Sequence, residues 1–240
     1  MMKKIHTAFL AIAAIGAIAG GSLPFLQAAG DKGQTHELSH EKISLPDPKY
    51  DSSTSVESAL RQRRSVRDYA DEPLTLSEVS QLLWAAQGVT DLRMGFRTAP
   101  SAGALYPLEI YAVIGNVSGL AAGIYKYEPH AHALAHLRAG DVRQDLAVAA
   151  LGQTSIQTGA IALIFSAVYE RTTRKYGERG VRYVHIEVGH AAQNVYLQAV
   201  SLNLGAVVIG AFQDTQVKTI VNMRDEENPL YIMPVGKTRM

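Results

Sequence analysis

The chain of 240 residues contains no cysteine. This absence excludes disulfides, thiolate zinc sites, iron–sulfur clusters and a cysteine nucleophile. It is compatible with an oxidising compartment, although cysteine-free proteins also occur in the cytosol. The hydrophobic share of 47% over this length is enough for a substantial core in one domain, or at most two.

The chain also lacks a strong excess of positive or negative charge. The chain has 23 Lys and Arg residues against 22 Asp and Glu residues, which leaves a net charge of +1. A balance this close to neutral gives no general reason to expect nucleic acid or an anionic membrane surface as a partner. The electrostatics that matter for function must therefore be local.

Several common catalytic motifs are absent too. The chain has no G-x-S-x-G, P-loop or G-x-G-x-x-G stretch, so hydrolase, nucleoside-triphosphatase and Rossmann functions lack their usual support. His185-x-Glu187-x-x-His190 resembles a helical zinc motif only superficially. Its histidines are five residues apart, about 140° around a helix, whereas a zinc pair needs a spacing of four. We predict no metal site.

The N-terminus has the order of a secretory signal. A basic start at residues 1–4 precedes an apolar run over residues 8–19, and small residues follow at 28–30. This order predicts a signal peptide over residues 1–30 and an exported protein, periplasmic or extracellular. An uncleaved membrane anchor is the alternative, because counting through the glycines to Phe25 comes near the ~20 residues of a membrane span.

Residues 31–53 are polar, contain Gly33, Pro46 and Pro48, and show no apolar period. We interpret them as an extended linker or arm, which could wrap a partner subunit or remain solvated. The folded domain is expected to span residues 54–240. Thr54-x-x-Glu57 and Thr75-x-x-Glu78 both have the spacing of a capping box and predict helix starts, the second helix ending at Gly88.

Further along the chain, helical and strand patterns alternate. The predicted helices cover residues 141–151, 181–202 (ended by Gly205) and 214–221. The predicted strands cover residues 108–114, 124–127, 134–137, 161–168, 206–212 and 230–235. Long helices interleaved with buried strands indicate a layered α+β or α/β domain.

Four arginines, Arg61, Arg63, Arg64 and Arg67, lie within seven residues at the end of the first predicted helix. If that helix continues, Arg63 and Arg67 project to one side, with the Ser65 hydroxyl between them. Two guanidinium groups and a hydroxyl suit a phosphate monoester. A solvated basic helix end, favoured by the macrodipole, is the equal alternative.

Two further segments could carry chemistry. Pro100–Pro107 combines glycine, alanine and proline, so its backbone can approach a flat ligand closely, although such loops are common. Lys175 and Tyr176 lie in a charged connection ahead of Gly177. A solvated charged surface is the simple explanation for this pair, but next to a redox ligand it could position substrate or move protons.

Taken in order, these segments resemble one family, the FMN-dependent nitroreductases, and within it the SagB-like branch named for azoline dehydrogenases of peptide maturation. Arg63–Tyr69 resembles the R-R-S-x-R-x-[FY] signature that opens the family, and Arg97–Glu109 is the segment most like the SagB-like branch. The similarity continues at 176–183, 187–194, 205–212 and 234–236, and covers about Val56 to Gly236.

The resemblance implies an α+β fold, a three-layer α/β sandwich whose central, mostly antiparallel sheet is flanked by helices. It also implies two intertwined subunits with two FMN sites at their interface. Arg63, Arg64, Ser65 and Arg67 would hold the phosphate and ribityl chain or approach the flavin, with Arg67 at the pyrimidine edge. A cation there would stabilise the anionic reduced flavin.

The remaining site residues follow from the same resemblance. From the other subunit, the isoalloxazine would be lined by Pro100, Ser101, Ala102 and Gly103. Ile209, Gly210 and Ala211 would lie beside the ring, and Lys237 or Arg239 would add a phosphate contact. The chain departs from typical nitroreductases at Ala104 and Leu105, which replace amide-bearing residues, and at Gly210, which replaces an acidic residue.

The function implied by the resemblance is two-electron transfer through FMN, with NADH or NADPH as donor and a nitro- or quinone-like acceptor. Lys175 and Tyr176 match in type the Lys–Tyr pair of azoline dehydrogenases, which makes peptide dehydrogenation an alternative with these two residues in catalysis. A third possibility is an exported protein that binds flavin without turnover. The expected partners are a second copy of the chain and a small-molecule or peptide substrate. No nucleic acid is expected, and a membrane only through an uncleaved N-terminus.

Overall fold

The computed structural model describes residues 41–239. The predicted signal peptide and the first part of the predicted arm lie outside this range. Within it the strands are β1 (Lys42–Ser44), β2 (Leu74–Thr75), β3 (Val89–Asp91), β4 (Phe96–Arg97), β5 (Leu108–Ile114), β6 (Val117–Ser118), β7 (Gly123–Glu128), β8 (Ala133–Ala139), β9 (Ile161–Ala167), β10 (Leu204–Ala206) and β11 (Asn228–Lys237). The helices are α1 (Val56–Gln62), α2 (Leu76–Gln87), α3 (Arg143–Ala149), α4 (Thr154–Thr158), α5 (Glu170–Tyr176), α6 (Arg179–Ser201) and α7 (Asp214–Val221).

Seven strands form the central sheet, in the order β1-β8-β7-β5-β9-β11-β10, and every neighbouring pair is antiparallel. β5 and β9 lie in its middle and are almost wholly buried, as their continuous apolar sequences predict. Two short pairs, β2–β6 and β3–β4, lie outside the main sheet.

Helices cover both faces of the sheet. Alternate residues of β5 point to opposite sides: Ile110 belongs to the core shared with α2 and α6, and Val113 to the core shared with α3 and α7. The result is a helix–sheet–helix sandwich, which confirms the predicted α+β three-layer fold. None of the helices in residues 41–239 combines the length and the apolar character that crossing a membrane requires.

The folded body begins earlier than the predicted boundary at Thr54. β1 pairs with β8 at the edge of the sheet, and Leu45 is buried in the core. The Lys49 backbone N–H also donates to Gln81 Oε1 of α2 over 2.8 Å. The part of the predicted arm from residue 41 onward thus packs on its own chain. Strand β1 was not predicted from the sequence, because an edge strand of three residues is too short to show an alternating pattern of apolar and polar residues.

Other differences concern helix ends. Ser55, and not Thr54, caps α1 by accepting from Ser58 N, whereas Thr75 and Glu78 form the predicted capping box of α2. The charged connection at 170–176 is helix α5. The strand predicted for 206–212 shares only Ala206 with β10, and beyond it Ile209 forms an isolated bridge with Ile232. Helix α6 ends at Ser201, before Gly205.

Candidate active site

The arginine-rich segment after α1 is extended. The helix ends at Gln62, and Arg63 already has φ −50° and ψ 125°. The expectation of a helix continuing to Arg67 is therefore wrong, because Val66 leaves the helical path to donate its N–H to the Ala206 carbonyl over 2.9 Å. Arg63 and Ser65 both contact Tyr196, and because alternate residues of an extended segment share a side, we expect Arg67 on that side too. Arg64 turns back, and its Nη1 donates to the carbonyls of Arg61 and Arg63.

Two glycines allow this segment to lie against the edge of the sheet. A Cβ at Gly205 would lie 2.7 Å from Val66 Cγ1, and a Cβ at Gly236 would lie 2.9 Å from the Tyr69 side chain. Real Cβ atoms do not approach carbon this closely, so only glycine permits the contact. Tyr69 is buried here, and its hydroxyl donates to the Val66 and Pro234 carbonyls.

Tyr196 of α6 connects the arginine segment to the stretch that follows β10. The Arg63 guanidinium lies 5.2 Å from the centre of the Tyr196 ring, and Ser65 Oγ lies 3.4 Å from its hydroxyl. The same hydroxyl accepts from Val208 N over 2.7 Å. Tyr196 could not be selected from the sequence, because a single tyrosine on a long helix carries no signal of the loops that fold onto it.

Val208 leads into the predicted ring-side residues Ile209, Gly210 and Ala211. Ile209 exchanges both backbone hydrogen bonds with Ile232, which keeps this stretch extended beyond β10. Gly210 is exposed, and its nearest neighbour is the Tyr231 ring, 3.8 Å from where a Cβ would stand. Through Tyr196 the structure therefore brings Val208, the residue that precedes 209–211, close to Arg63 and Ser65.

The basic residues at the C-terminus are bound to side chains and backbone of their own chain. Lys237 Nζ pairs with Glu78 Oε1 at the start of α2 over 2.6 Å. Arg239 Nε donates to the Tyr69 carbonyl, and its Nη1 lies 3.3 Å from Asp68 Oδ2. Both cations thus fasten the C-terminal strand to neighbouring elements, and within residues 41–239 no contact joins either of them to Tyr196.

A second group of predicted residues gathers around the loop at Pro100–Gly103. The Ser101 hydroxyl accepts from Tyr106 N over 2.9 Å and closes the loop on itself. Gly103 has φ +66°, and a Cβ there would lie 2.8 Å from the Tyr176 hydroxyl and 3.0 Å from Lys175 Nζ. The two predicted catalytic side chains, from the last turn of α5, therefore reach the loop within the same chain.

A buried polar cluster lies beneath this loop. Arg97 stacks over the Tyr106 ring at 4.5 Å and donates from Nη1 to Gln87 Oε1 over 3.0 Å. Glu187 of α6 is only 2% exposed. Burial raises the pKa of the Glu187 carboxyl to about 7, and this effect outweighs the lowering influence of the Ser101 hydroxyl and the Arg97 charge.

The two groups of residues contact opposite faces of α6. Asn194 donates to the Thr98 carbonyl over 3.2 Å, on the same face as Glu187. Tyr196 is nine residues from Glu187, which places it about 180° around the helix and about 13 Å along it. One chain therefore presents two half-sites: the arginine half-site (Arg63, Ser65, Arg67, Tyr196 and residues 208–211) and the loop half-site (residues 97–106, Lys175, Tyr176 and Glu187).

A groove of about 830 Å³ runs between residues 47–56 and helices α1, α2 and α6, and contains none of the predicted site residues. Apolar side chains at its rim are exposed, among them Tyr50 at 81% and Val56 at 64%. Exposed apolar residues around a groove are typical of a surface that another chain covers.

Comparison with known proteins agrees with this architecture. The family model described as the nitroreductase family matches residues 60–237. A protein of Methanocaldococcus jannaschii that carries a nitroreductase name is 52% identical over 196 residues, which are 82% of this chain and 96% of that protein. A solved structure from Ralstonia eutropha, also under a nitroreductase name, has a TM-score of 0.74 and 30% identity, over 85% of this chain and 92% of its own.

A further relative is named as a processing protein. The microcin B17-processing protein McbC of Escherichia coli is 30% identical over 156 residues, which are 62% of this chain and 57% of that protein. The match to the family model covers most of the chain, and both half-sites lie within it. The chain belongs to the nitroreductase family and is an oxidoreductase.

Proposed function

We propose that the chain is an FMN-dependent oxidoreductase that transfers two electrons as a hydride. NADH or NADPH is the proposed donor, and a nitro- or quinone-like compound is the acceptor. The observation that carries the proposal is the presence of two half-sites suited to opposite parts of one ligand, a cationic one and a flat one. FMN combines a phosphate with a planar ring, and the ring supplies the hydride chemistry.

The arginine half-site suits a phosphate. In residues 41–239 the arginines that form ion pairs are Arg143, Arg171, Arg174, Arg224 and Arg239. Arg63 and Arg67 are not in this set, so a ligand does not compete with a carboxylate of residues 41–239 for their charges. Ser65 lies between them in the extended segment. Charge-assisted hydrogen bonds from guanidinium groups to phosphate oxygens are among the strongest that side chains form.

The loop half-site suits a flat ring. Pro100, Ala102 and Gly103 have short side chains or none, and the positive φ of Gly103 turns the backbone into a shape that a larger residue would strain. Lys175 and Tyr176 stand beside this loop and are the candidates to hold or donate a proton when an acceptor is reduced.

We further propose that the chain acts as a homodimer in which the arginine half-site of one subunit faces the loop half-site of its partner. Because the two half-sites contact opposite faces of α6, one chain does not turn them toward each other. The groove along residues 47–56, α1, α2 and α6 offers a surface that a second copy could cover.

The phosphate assignment is tested by the double substitution Arg63→Ala/Arg67→Ala. Loss of both cations should weaken FMN binding by about 100-fold or more, since each charged hydrogen bond contributes about 1.5–3 kcal/mol. The measurement is the quenching of FMN fluorescence on titration with the apoprotein, after folding has been checked by circular dichroism.

A charge-matched control is Arg93→Ala/Arg138→Ala, which removes two exposed arginines outside both half-sites. This control should bind FMN like the wild-type protein. Undiminished binding by the Arg63/Arg67 variant would refute the phosphate assignment. A wild-type protein that binds no FMN after reconstitution would refute the proposed function as a whole, and FMN binding without turnover would leave only a flavin-binding protein.

The second candidate is an azoline-type peptide dehydrogenase. What favours it is the convergence of Lys175 Nζ and Tyr176 OH on Gly103, together with the similarity to McbC. The substrate accepts electrons from the reduced flavin in the first function and donates electrons to the oxidised flavin in the second, so the electron donor separates them. Anaerobic bleaching of the FMN-loaded protein by NADH or NADPH supports the reductase, whereas resistance to both donors supports the dehydrogenase.

A further inference from the structure

The loop of residues 100–106 contains strained backbone. Gly103, Ala104 and Tyr106 all have positive φ, at +66°, +54° and +46°. Glycine adopts this region freely, but alanine and tyrosine do so at a cost in free energy, so the shape persists only where neighbouring contacts hold it. Strain of this kind is concentrated at functional sites. The contacts of Tyr106 are therefore the ones that fix the shape of the loop.

Tyr106 is held at four points. Its N–H donates to Ser101 Oγ over 2.9 Å, and its hydroxyl accepts from Arg97 N over 3.3 Å. The Arg97 guanidinium lies 4.5 Å from the centre of its ring. Its carbonyl accepts from Arg171 Nη1 over 3.1 Å. Arg97 and Ser101 belong to the same stretch of chain as Tyr106, whereas Arg171 reaches the loop from helix α5.

Arg171 makes this contact with one arm of a planar fork. Its Nη1 holds the Tyr106 carbonyl while its Nη2 pairs with Glu109 Oε1 of β5. The other carboxylate oxygen of Glu109 lies 3.0 Å from Lys126 Nζ of β7. Lys126 in turn lies 2.6 Å from Oε1 of Glu227, whose side chain is fully buried. The guanidinium is thus anchored to the central sheet by ion pairs, and its second arm holds the loop.

The same arginine lies on the helix that carries the proposed proton donors. Arg171 is in the first turn of α5, and Lys175 follows it by four residues, so the two side chains share a face of the helix. A Cβ at Gly103 would lie 3.0 Å from Lys175 Nζ and 2.8 Å from the Tyr176 hydroxyl. A small shift of the loop against α5 would change both distances. One side chain therefore joins the strained loop to the helix of Lys175 and Tyr176.

We propose that Arg171, anchored by Glu109, is a positioning residue that holds the strained loop in line with Lys175 and Tyr176. This inference rests on the proposed function, in which the loop lies along the flavin. A nitro acceptor then takes a hydride from the reduced flavin and a proton from Lys175 or Tyr176. It leaves as the nitroso compound and water, and the donor regains its proton from solvent. A displacement of about 1 Å at such a site lowers the rate by about 100-fold.

Hydrogen exchange in the apoprotein tests the effect on the shape of the loop, without flavin or turnover. The probes are the amides of Ala104 and Tyr106, which donate to the Ser101 carbonyl and to Ser101 Oγ. Both should exchange about 10-fold or more faster in Arg171→Gln than in wild type, the effect of one charge-assisted hydrogen bond lost. Circular dichroism and urea unfolding check that the variant is folded.

Two further variants test the fork and its anchor. Arg171→Lys keeps the charge, but a single ammonium group does not reproduce the planar fork. It should unfold at nearly the same urea concentration as wild type and still exchange fast at Ala104 and Tyr106. Glu109→Gln should accelerate exchange less than Arg171→Gln does. The double variant Glu109→Gln/Arg171→Gln should be no faster than Arg171→Gln, because Glu109 acts on the loop through Arg171.

The matched control is Arg174→Gln on the same helix. Its pair with Glu170 is exposed, with side chains 81% and 70% accessible, and such pairs contribute little to stability. Both loop amides should exchange in this variant as they do in wild type.

Electron transfer tests the alignment with Lys175 and Tyr176. FMN-loaded protein is reduced photochemically without oxygen and mixed with nitrobenzene, and the return of flavin absorbance gives the rate at saturating acceptor. Arg171→Gln should be about 10- to 100-fold slower than wild type while it retains FMN. In a Lys175→Met/Tyr176→Phe background, Arg171→Gln should cause no further loss, since residues that act together are not additive.

The outcomes separate this inference from the proposed function. Wild-type exchange of the loop amides in Arg171→Gln overturns the inference and leaves the proposed function standing. Full recovery of slow exchange in Arg171→Lys overturns the role of the fork. An equal loss of rate with and without the Lys–Tyr pair overturns the alignment of that pair. A wild-type protein that binds no FMN after reconstitution overturns the proposed function and the alignment together.

Discussion

At the scale of single residues, the neighbours of Gly103 and Glu187 in the fold give these two positions their importance. Gly103 lies where any Cβ would come within 3 Å of the Tyr176 hydroxyl, so its lack of a side chain makes room for the pair from α5. Glu187 is an acid placed where water does not reach it. Neither residue type is unusual in itself, and only the packing of the loop against α5 and α6 makes these two matter.

Glu187 should also shape the pH dependence of stability. Its pKa is raised from 4.5 to about 7 on folding, so the folded state binds this proton more tightly than the unfolded state does. The stabilising contribution is therefore fully present below pH 4.5 and is lost as the pH rises toward 7. Relative to Glu187→Gln, the free energy of unfolding of the wild type should fall by about 2 kcal/mol between pH 5 and pH 8.

Urea unfolding at a series of pH values measures this difference, and Glu72→Gln serves as the control with no expected pH-dependent change. Parallel stability profiles for wild type and Glu187→Gln would show that the carboxyl titrates normally in the folded protein.

At the scale of elements, local sequence signals succeed where the element is long and its ends are marked. The capping box of α2 is complete, since Glu78 N donates to Thr75 Oγ1 and the Glu78 carboxylate accepts from Thr75 N. Glu78 also pairs with Lys237, so the start of α2 holds the end of β11. The same residues thus begin a helix and fasten the C-terminal strand.

Thr75→Ala should lower the free energy of unfolding by about 1 kcal/mol, the usual contribution of an N-terminal cap. Thr154→Ala is the matched control: this exposed threonine opens α4, whose N-terminus has no side-chain cap. The control should change stability by less than about 0.5 kcal/mol. Equal thermal or urea midpoints for Thr75→Ala and wild type would show that the cap contributes nothing measurable.

At the scale of the whole molecule, the proposed site is shared between two subunits. Each subunit of a symmetric dimer contributes the same surface, so two sites form, each from one arginine half-site and one loop half-site. A heterodimer of two differently damaged chains would then contain one site with both defects and one site with none.

This arrangement predicts complementation. Arg63→Ala/Arg67→Ala and Ala102→Trp, which places a bulky ring in the loop half-site, should each fail to bind FMN alone. Unfolded and refolded together in equal amounts, they should recover about a quarter of the wild-type sites, because half of randomly paired dimers are heterodimers with one intact site each. Flavin absorbance after gel filtration measures the recovery. No recovery from a mixture that does form heterodimers would show that each site is built from one chain.

Much of this architecture could be predicted from the sequence. Periodicity and capping signals located α2, α6, α7 and the central strands, because those elements are long enough to repeat a pattern and end at marked residues. The segments that carry Arg63, Pro100 and Lys175 could be selected as candidates from residue type and order. The predicted helical spacing of Arg63 and Arg67 was wrong, since a hydrogen bond to a distant strand decides the path of the chain there.

The side chains available for chemistry can be read from the sequence: the arginines, the small residues of the loop and the Lys–Tyr pair, together with the absence of any thiol. Their grouping depends on the fold, which places Tyr196 on one face of α6 and Glu187 on the other, and Lys175 and Tyr176 against Gly103. Burial and contact between segments far apart in the chain arise from packing, so they leave no period or spacing in the sequence.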